Sequence, residues 1–368
     1  MSLQGEIDLV RAQVRTDGYP VSIGEWLSIY EKGEVDIHPE FQRFFRWSNR
    51  QKSRLIESIF LGIPIPQVFV AQRPDGVWDV VDGLQRLSTI FQFTGILKDE
   101  DGHLLPPLVL DATKYLPSLA GKVWDDEEHP DQSLTPAQRL LIKRSKIDVS
   151  IILKESDEAA KYELFQRLNA GGSQLSDQEL RNSIIVMLNR DFFAWMENLS
   201  GDAAFQDCIA LTDRAAEERY DMELVLRFLV FRAASSSALT NIGDMGEHLT
   251  DKAAALAQDK SFNRVGEEDA FRRTFTLLKD HIGADAFRRY DKQRGKFVGG
   301  FSVSAFEAVA LGVGYNNKVL SPASGEIERK VKDMWTDPEF VNNSGSGVRA
   351  SSRLPKIVPY GRKLFAQK

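Results

Sequence analysis

The chain has 368 residues, 42% hydrophobic and 27% charged, a length that suits two substructures and a balance that excludes disordered and fibrous chains. No apolar run approaches the ~18–20 residues of a membrane span, the opening stretch MSLQGEIDLVRAQV lacks secretory-signal character, and the single cysteine, Cys208, excludes an internal disulfide and fits a cytoplasmic protein. The net charge of −6 argues against a generic nucleic-acid coat, but it averages an acidic body with two basic islands, six cations against Glu57 in 41–73 and six cations without an acid in 342–368.

Residues 22–31 read as a helix with Ile23, Trp26, Leu27 and Tyr30 on one face, closed by Gly33. Val35, Asp36 and Ile37 form a short extended piece. Ser48 and Gln51 make a capping box for a helix whose apolar face is Leu55, Ile56, Ile59 and Phe60 and which stops at Gly62 and Pro64. Strands over 67–72 and 77–81, joined by Pro74-Asp75-Gly76, predict a hairpin. The second strand leads into Asp82-Gly83, and a helix begins near Arg86. Residues 98–134 are acidic and proline-rich, an excursion from the core. Thr135-Pro136-Ala137-Gln138 opens a helix, and 146–153 alternates as a strand with Ile147, Val149 and Ile151 on one face. From Asp157 the pattern is almost wholly helical: 158–168, a break at Asn169-Ala170-Gly171-Gly172, a second capping box at Ser176 and Glu179, then 221–232, 267–278 and 304–311. The expected fold class is α+β, a mixed N-terminal domain over 1–155 and a helical domain over 156–368 that ends in a basic tail.

Three constellations can carry chemistry. In Val80-Val81-Asp82-Gly83-Leu84-Gln85-Arg86 a strand ends in an acid and a glycine just before a helix. Gly83 permits positive φ and close approach of a ligand, the free N–H groups of a helix start favour anions, and Arg86 adds a planar fork for phosphate oxygens. Asp82 can hold Mg2+ or position a water, and Gln85 can orient a nucleophile. Taken alone, the same pattern also suits an ordinary turn with an exposed arginine. The second is 39–47, where Arg43 and Arg46 interleave with aromatics, as in a phosphate clamp with a stacking base or in a core-edge segment with snorkelling arginines. The third is 165–179, a helix, a glycine loop and a capped helix, which suits a phosphate site or a simple helical corner. The five histidines are scattered and show no zinc-ligand spacing, and there is neither a P-loop nor a Gly-x-Ser-x-Gly nucleophile motif. Cys208 reads as structural. No zinc, haem or flavin is expected.

The order and spacing of these segments resemble the N-terminal domain family of GmrSD-type modification-dependent restriction enzymes, in the ParB/sulfiredoxin-like superfamily. The resemblance rests on Pro39, Phe41, Gln42, Arg43, Phe45 and Trp47, on Asp82-Gly83-Leu84-Gln85-Arg86-Leu87-Ser88-Thr89, and on a block from Phe165 through Arg167, Leu168, Asn169, Gly171, Gly172, Leu175, Glu179 and Leu180 to Arg181. It covers most of 20–320. It implies a ParB-like fold around the Asp-Gly box and binding or hydrolysis of a nucleoside triphosphate with Mg2+, in DNA restriction or phage defence. Asp82, Gln85 and Arg86 would be the catalytic set. Gln42, Arg43, Arg46, Gly83, Asn169, Gly171 and Gly172 would bind nucleotide. Leu84 departs from the family's usual glutamine. The C-terminal His-Asn-His nuclease of many members is not matched, since no histidine follows His281. The expected partners are therefore DNA and a separate nuclease subunit, with homo-oligomerisation open and no membrane. Arg349, Arg353, Lys356, Arg362 and Lys363 are the candidate DNA contacts. The rival readings are a ParB-like nicking nuclease using the same box and a non-enzymatic DNA-binding regulator.

Overall fold

The computed structural model describes residues 2–4, 15–37, 47–99, 102–156, 177–317, 325–345 and 347–367. It divides into two compact units, Met1–Gln174 and Leu175–Lys368. The first is a mixed sheet with helices and the second is mostly helical, so the chain is α+β as its patterning predicts.

In the first unit β1 (Thr16–Ser22) leads into α1 (Ile23–Glu31) and then β2 (Val35–Asp36), and α2 (Asn49–Phe60) follows. The hairpin of β3 (Val68–Gln72) and β4 (Trp78–Asp82) precedes α3 (Leu84–Phe93). After the excursion, which holds one 3-10 turn at Pro117–Leu119, come α4 (Pro136–Arg144) and β5 (Lys146–Ile152). The sheet order is β1-β5-β3-β4-β2. β5 runs parallel to β3 and β2 parallel to β4, while β1 and the β3–β4 hairpin pair antiparallel. The caps expected at Ser48 and Thr135 form: Ser48 and Gln51 exchange bonds at the start of α2, as do Thr135 and Gln138 at α4. Ile147, Val149 and Ile151 face the core, which Trp26, Val68, Val70, Phe91 and Phe93 complete.

Patterning gave no sign of β1. Its sequence, TDGYPVS, contains Gly18 and Pro20, both strand breakers. An edge position tolerates the proline, because one side of an edge strand needs no donor. Gly18 is needed there, since a Cβ would sit 2.7 Å from the Val149 carbonyl oxygen.

The second unit begins with α5 (Asp177–Leu188), α6 (Arg190–Ser200) and α7 (Ala203–Ile209). It continues through α8 (Tyr220–Phe231), α9 (Met245–Gln258) and α10 (Arg264–His281). A small hairpin, β6 (Arg289–Asp291) with β7 (Lys296–Val298), precedes α11 (Val303–Asn316), α12 (Glu326–Met334) and α13 (Ala350–Leu364). Phe205, Phe228, Phe271 and Phe275 pack ring against ring at its centre, with centroids 4.5–5.8 Å apart. α11 is buried from Ser304 to Gly314. The helix predicted over 158–168, its glycine break and Ser176 lie outside the described residues.

The basic C-terminal segment, expected as a tail, is largely the helix α13, with Leu354, Ile357, Val358 and Phe365 in the core. Pro355 and Pro359 lie inside it and mask its helical signal in the sequence. It packs on α11 backbone to backbone: a Cβ on Gly361 would lie 2.0 Å from the Ala308 carbonyl oxygen, and one on Gly312 would lie 2.4 Å from that of Gly361. Among the described residues no helix is long and apolar enough to cross a membrane.

Candidate functional site

The Asp82 turn is built at a strand defect. Phe69 pairs with Asp82 but Val70 pairs with Val80, so Val81 is an extra residue that bulges β4 immediately before the acid. Gly83 follows at φ 108, in the left-handed region. A Cβ there would also meet the Val68 Cγ2 at 2.7 Å, so both conformation and packing demand glycine. Gly83 is the N-cap of α3 and supplies no side-chain bond to the first turn, whose first helical bond runs from Leu87 N to the Gly83 carbonyl at 2.9 Å. A helix start left without a side-chain cap presents its N–H groups and the positive end of the helix dipole to an anion.

Arg86 sits one turn into α3 and is largely buried. Its Nη2 donates to Asp82 Oδ2 at 3.1 Å and its Nη1 to the Pro66 carbonyl at 2.8 Å. These two bonds aim the guanidinium back over the turn. Gln85 accepts a bond from the Trp47 N–H at 3.3 Å through Oε1. Trp47, the last residue of the first aromatic-arginine segment, thus neighbours the Asp-Gly box although it lies 38 residues before Gln85 in sequence. Lys52 of α2 donates to Gln92 of α3 at 2.8 Å, and burial lowers the pKa of its ammonium group. Gln92 in turn donates to the Pro106 carbonyl, so the excursion is tied to the helix that carries the box.

The described residues contain no group of three or more His, Cys, Asp or Glu side chains arranged to hold a metal ion. Asp82 offers an oxygen donor of the kind Mg2+ takes. Gln42, Arg43, Arg46, Asn169, Gly171 and Gly172 lie outside the described residues. Arg181, the last residue of the third motif, is fully buried in the second unit, where it pairs with Glu223. Cys208 is buried, and desolvation, with the charge of Asp207, pushes its thiol up to about 12, which makes it a poor nucleophile.

The five candidate DNA contacts separate. Arg353 grips the fully buried Glu307 with Nε and Nη2, at 2.6 and 2.9 Å. Arg362 donates to the carbonyls of Phe231 and Arg232 and stacks over Tyr315. Arg349, Lys356 and Lys363 are exposed.

One constellation escaped the sequence. Arg73 bonds both Asp36 and Asp79 through Nη2, beside a cavity of about 680 Å3 lined by Tyr30, Ile37 and Leu104 among others. Burial alone would lower the Arg73 guanidinium, but the two carboxylates raise it. Neither Asp82, Gly83, Gln85 nor Arg86 lines that cavity. The available signal was Asp79, a charged residue on a strand whose other central positions are apolar.

Residues 23–186 match the family model of the GmrSD restriction endonuclease N-terminal domain. The match spans α1 to β5, including the Asp82 turn, and reaches into α5. No curated protein and no solved structure matches the chain.

Proposed function

We propose that the chain is the nucleotide-handling module of a DNA-restriction system and that the turn from Asp82 to Arg86 receives the phosphates of a nucleoside triphosphate. The observation that carries this reading is the uncapped start of α3, held open by Gly83 in the left-handed region with Arg86 aimed across it. The backbone N–H groups and the Arg86 guanidinium bind phosphate oxygens as Arg86 exchanges its Asp82 bond for one to the ligand. Asp82, released on one oxygen, would hold the Mg2+ that accompanies the phosphates and neutralises their charge, or accept the proton of an attacking water. That water forms the new bond to the terminal phosphorus as the bond to the bridging oxygen breaks, and the nucleoside diphosphate leaves. Gln85, whose carbonyl end is fixed by the Trp47 N–H, is placed to orient the water. The family match supports the restriction setting. The His-Asn-His signature is not matched in these residues, and this reading assigns DNA cleavage to a separate nuclease subunit.

Calorimetric titration of the full chain with each nucleoside triphosphate and Mg2+ tests this. At least one should bind, and Arg86→Ala should weaken it at least ~10-fold, the scale of a charge-assisted bond. Asp82→Asn should lower phosphate release more than binding. Absence of binding by every nucleotide overturns the reading. Nicking of supercoiled plasmid that is lost in Asp82→Asn, without nucleotide binding, would replace it with DNA cleavage at the same turn.

A further inference from the structure

Packing sorts the cations of the C-terminal helix. Arg353 and Arg362 turn inward, one to the Glu307 carboxylate and the other to two carbonyls, and hold α13 in the core. Arg349, at the N-cap of α13, and Lys356 and Lys363 within it stay exposed and are seven residues apart. Seven residues bring a helix back to the same face with a drift of about 20°, so the three lie within an arc of about 40°. At ~1.5 Å per residue the row is about 21 Å long.

The row carries no counter-charge. Some other exposed cations of this unit are neutralised by carboxylates, as Arg214 is by Glu218, Arg273 by Asp269 and Lys279 by Asp207. Arg349, Lys356 and Lys363 pair with no acid among the described residues, and the whole segment 342–368 contains none. The helix places three unneutralised charges along one face of a core-anchored element.

We propose that this row is a contact surface for the phosphate backbone of duplex DNA. A straight row of cations complements a stiff linear polyanion that carries one charge per ~1.7 Å of axis. α13 exposes no large apolar side chain, so it has nothing to insert into a bilayer. Nor does it offer stacking rings for a single strand: Tyr315, exposed beside it, has a ring face occupied by Arg362. The surface concerns none of the residues of the Asp82 turn, and it stands whether or not that turn binds nucleotide.

The test is fluorescence anisotropy of a labelled duplex of about 20 bp with the full chain, from ~50 to ~200 mM salt and without nucleotide. The wild type should bind. The combined Arg349→Ala, Lys356→Ala and Lys363→Ala variant should bind at least ~10-fold more weakly at the lowest salt, and its log–log salt slope should be shallower by about 2.7, about 0.9 for each lost phosphate contact. A control with Arg214→Ala, Arg273→Ala and Lys279→Ala makes the same change in net charge at paired positions and should stay within about twofold. Matching circular dichroism and melting curves establish that both variants fold. The proposal is overturned by absence of duplex binding at low salt, by equal losses in the two variants, or by tighter binding of RNA of equal length or of phosphatidylserine vesicles than of duplex.

Discussion

In the sheet unit Arg86 makes two bonds, to Asp82 and to the Pro66 carbonyl, at the open end of a helix. In the helical unit an alternating chain runs Arg181–Glu223–Arg227–Glu307–Arg353, through α5, α8, α11 and α13, and its Glu307 is fully buried. Both are arginine–carboxylate systems, yet their surroundings differ. In the second, each carboxylate holds two arginines, and burial lowers the Arg181 pKa against the pull of Glu223. No ligand can enter such a cluster without breaking the fold. In the first, Arg86 stands in the first turn of a helix whose start has no side-chain cap, where the proposed phosphate would take over the Asp82 bond. Placement, rather than the pairing itself, separates an arginine at a helix start from one locked in a core.

The comparison can be broken most severely at Glu307. Glu307→Ala leaves Arg227 and Arg353 inside the helical unit without their shared carboxylate, and should destabilise that unit by about 3–5 kcal/mol in denaturant unfolding. A loss below about 1 kcal/mol would show that the cluster is hydrated and removable. Gly83→Ala comes next. It forces an L side chain to φ 108 and drives a methyl into Val68, with an expected loss of roughly 2–4 kcal/mol from backbone strain and overpacking together. Adding Val68→Ala should recover the steric part and leave the backbone part, which a double-mutant cycle measures.

The smallest effect concerns Glu57, whose carboxylate accepts bonds from the N–H groups of Tyr115 and Leu116 and ties the excursion to α2. Burial alone would raise its pKa, but these bonds and the Thr113 hydroxyl hold it below the usual carboxylate range. A carboxyl with a depressed folded value contributes stability that is complete above the unfolded value, about pH 4.3, and is lost as pH falls through the folded value. Glu57→Gln should flatten that acid limb and cost on the order of 1 kcal/mol at neutral pH, one charged acceptor exchanged for a neutral one. An unchanged acid limb would move the titration to other carboxylates.

Much of this organisation is legible locally. The capping boxes at Ser48 and Thr135, the Pro74-Asp75-Gly76 hairpin and the alternation of Ile147, Val149 and Ile151 depend on neighbours within a few residues, and each is found where its pattern places it. The Asp82 turn is legible for the same reason, since a strand, a glycine and a helix start are all encoded in sequence order. β1 is hidden because its breakers are tolerated only by a strand paired along one edge, a property of the sheet and not of the segment.

The sequence by itself determined the α+β division, the helix caps, the hairpin and the position of the glycine turn, because propensity, capping and alternation act over a few residues. Only the tertiary structure decided which charges are buried and which are exposed. It turned Arg353 and Arg362 of the basic island inward and left Arg349, Lys356 and Lys363 in the open. It set Trp47 against Gln85 and closed Arg73 between Asp36 and Asp79. Burial and distance between residues far apart in the chain set the energy of a charge, and neither is written in the order of the residues.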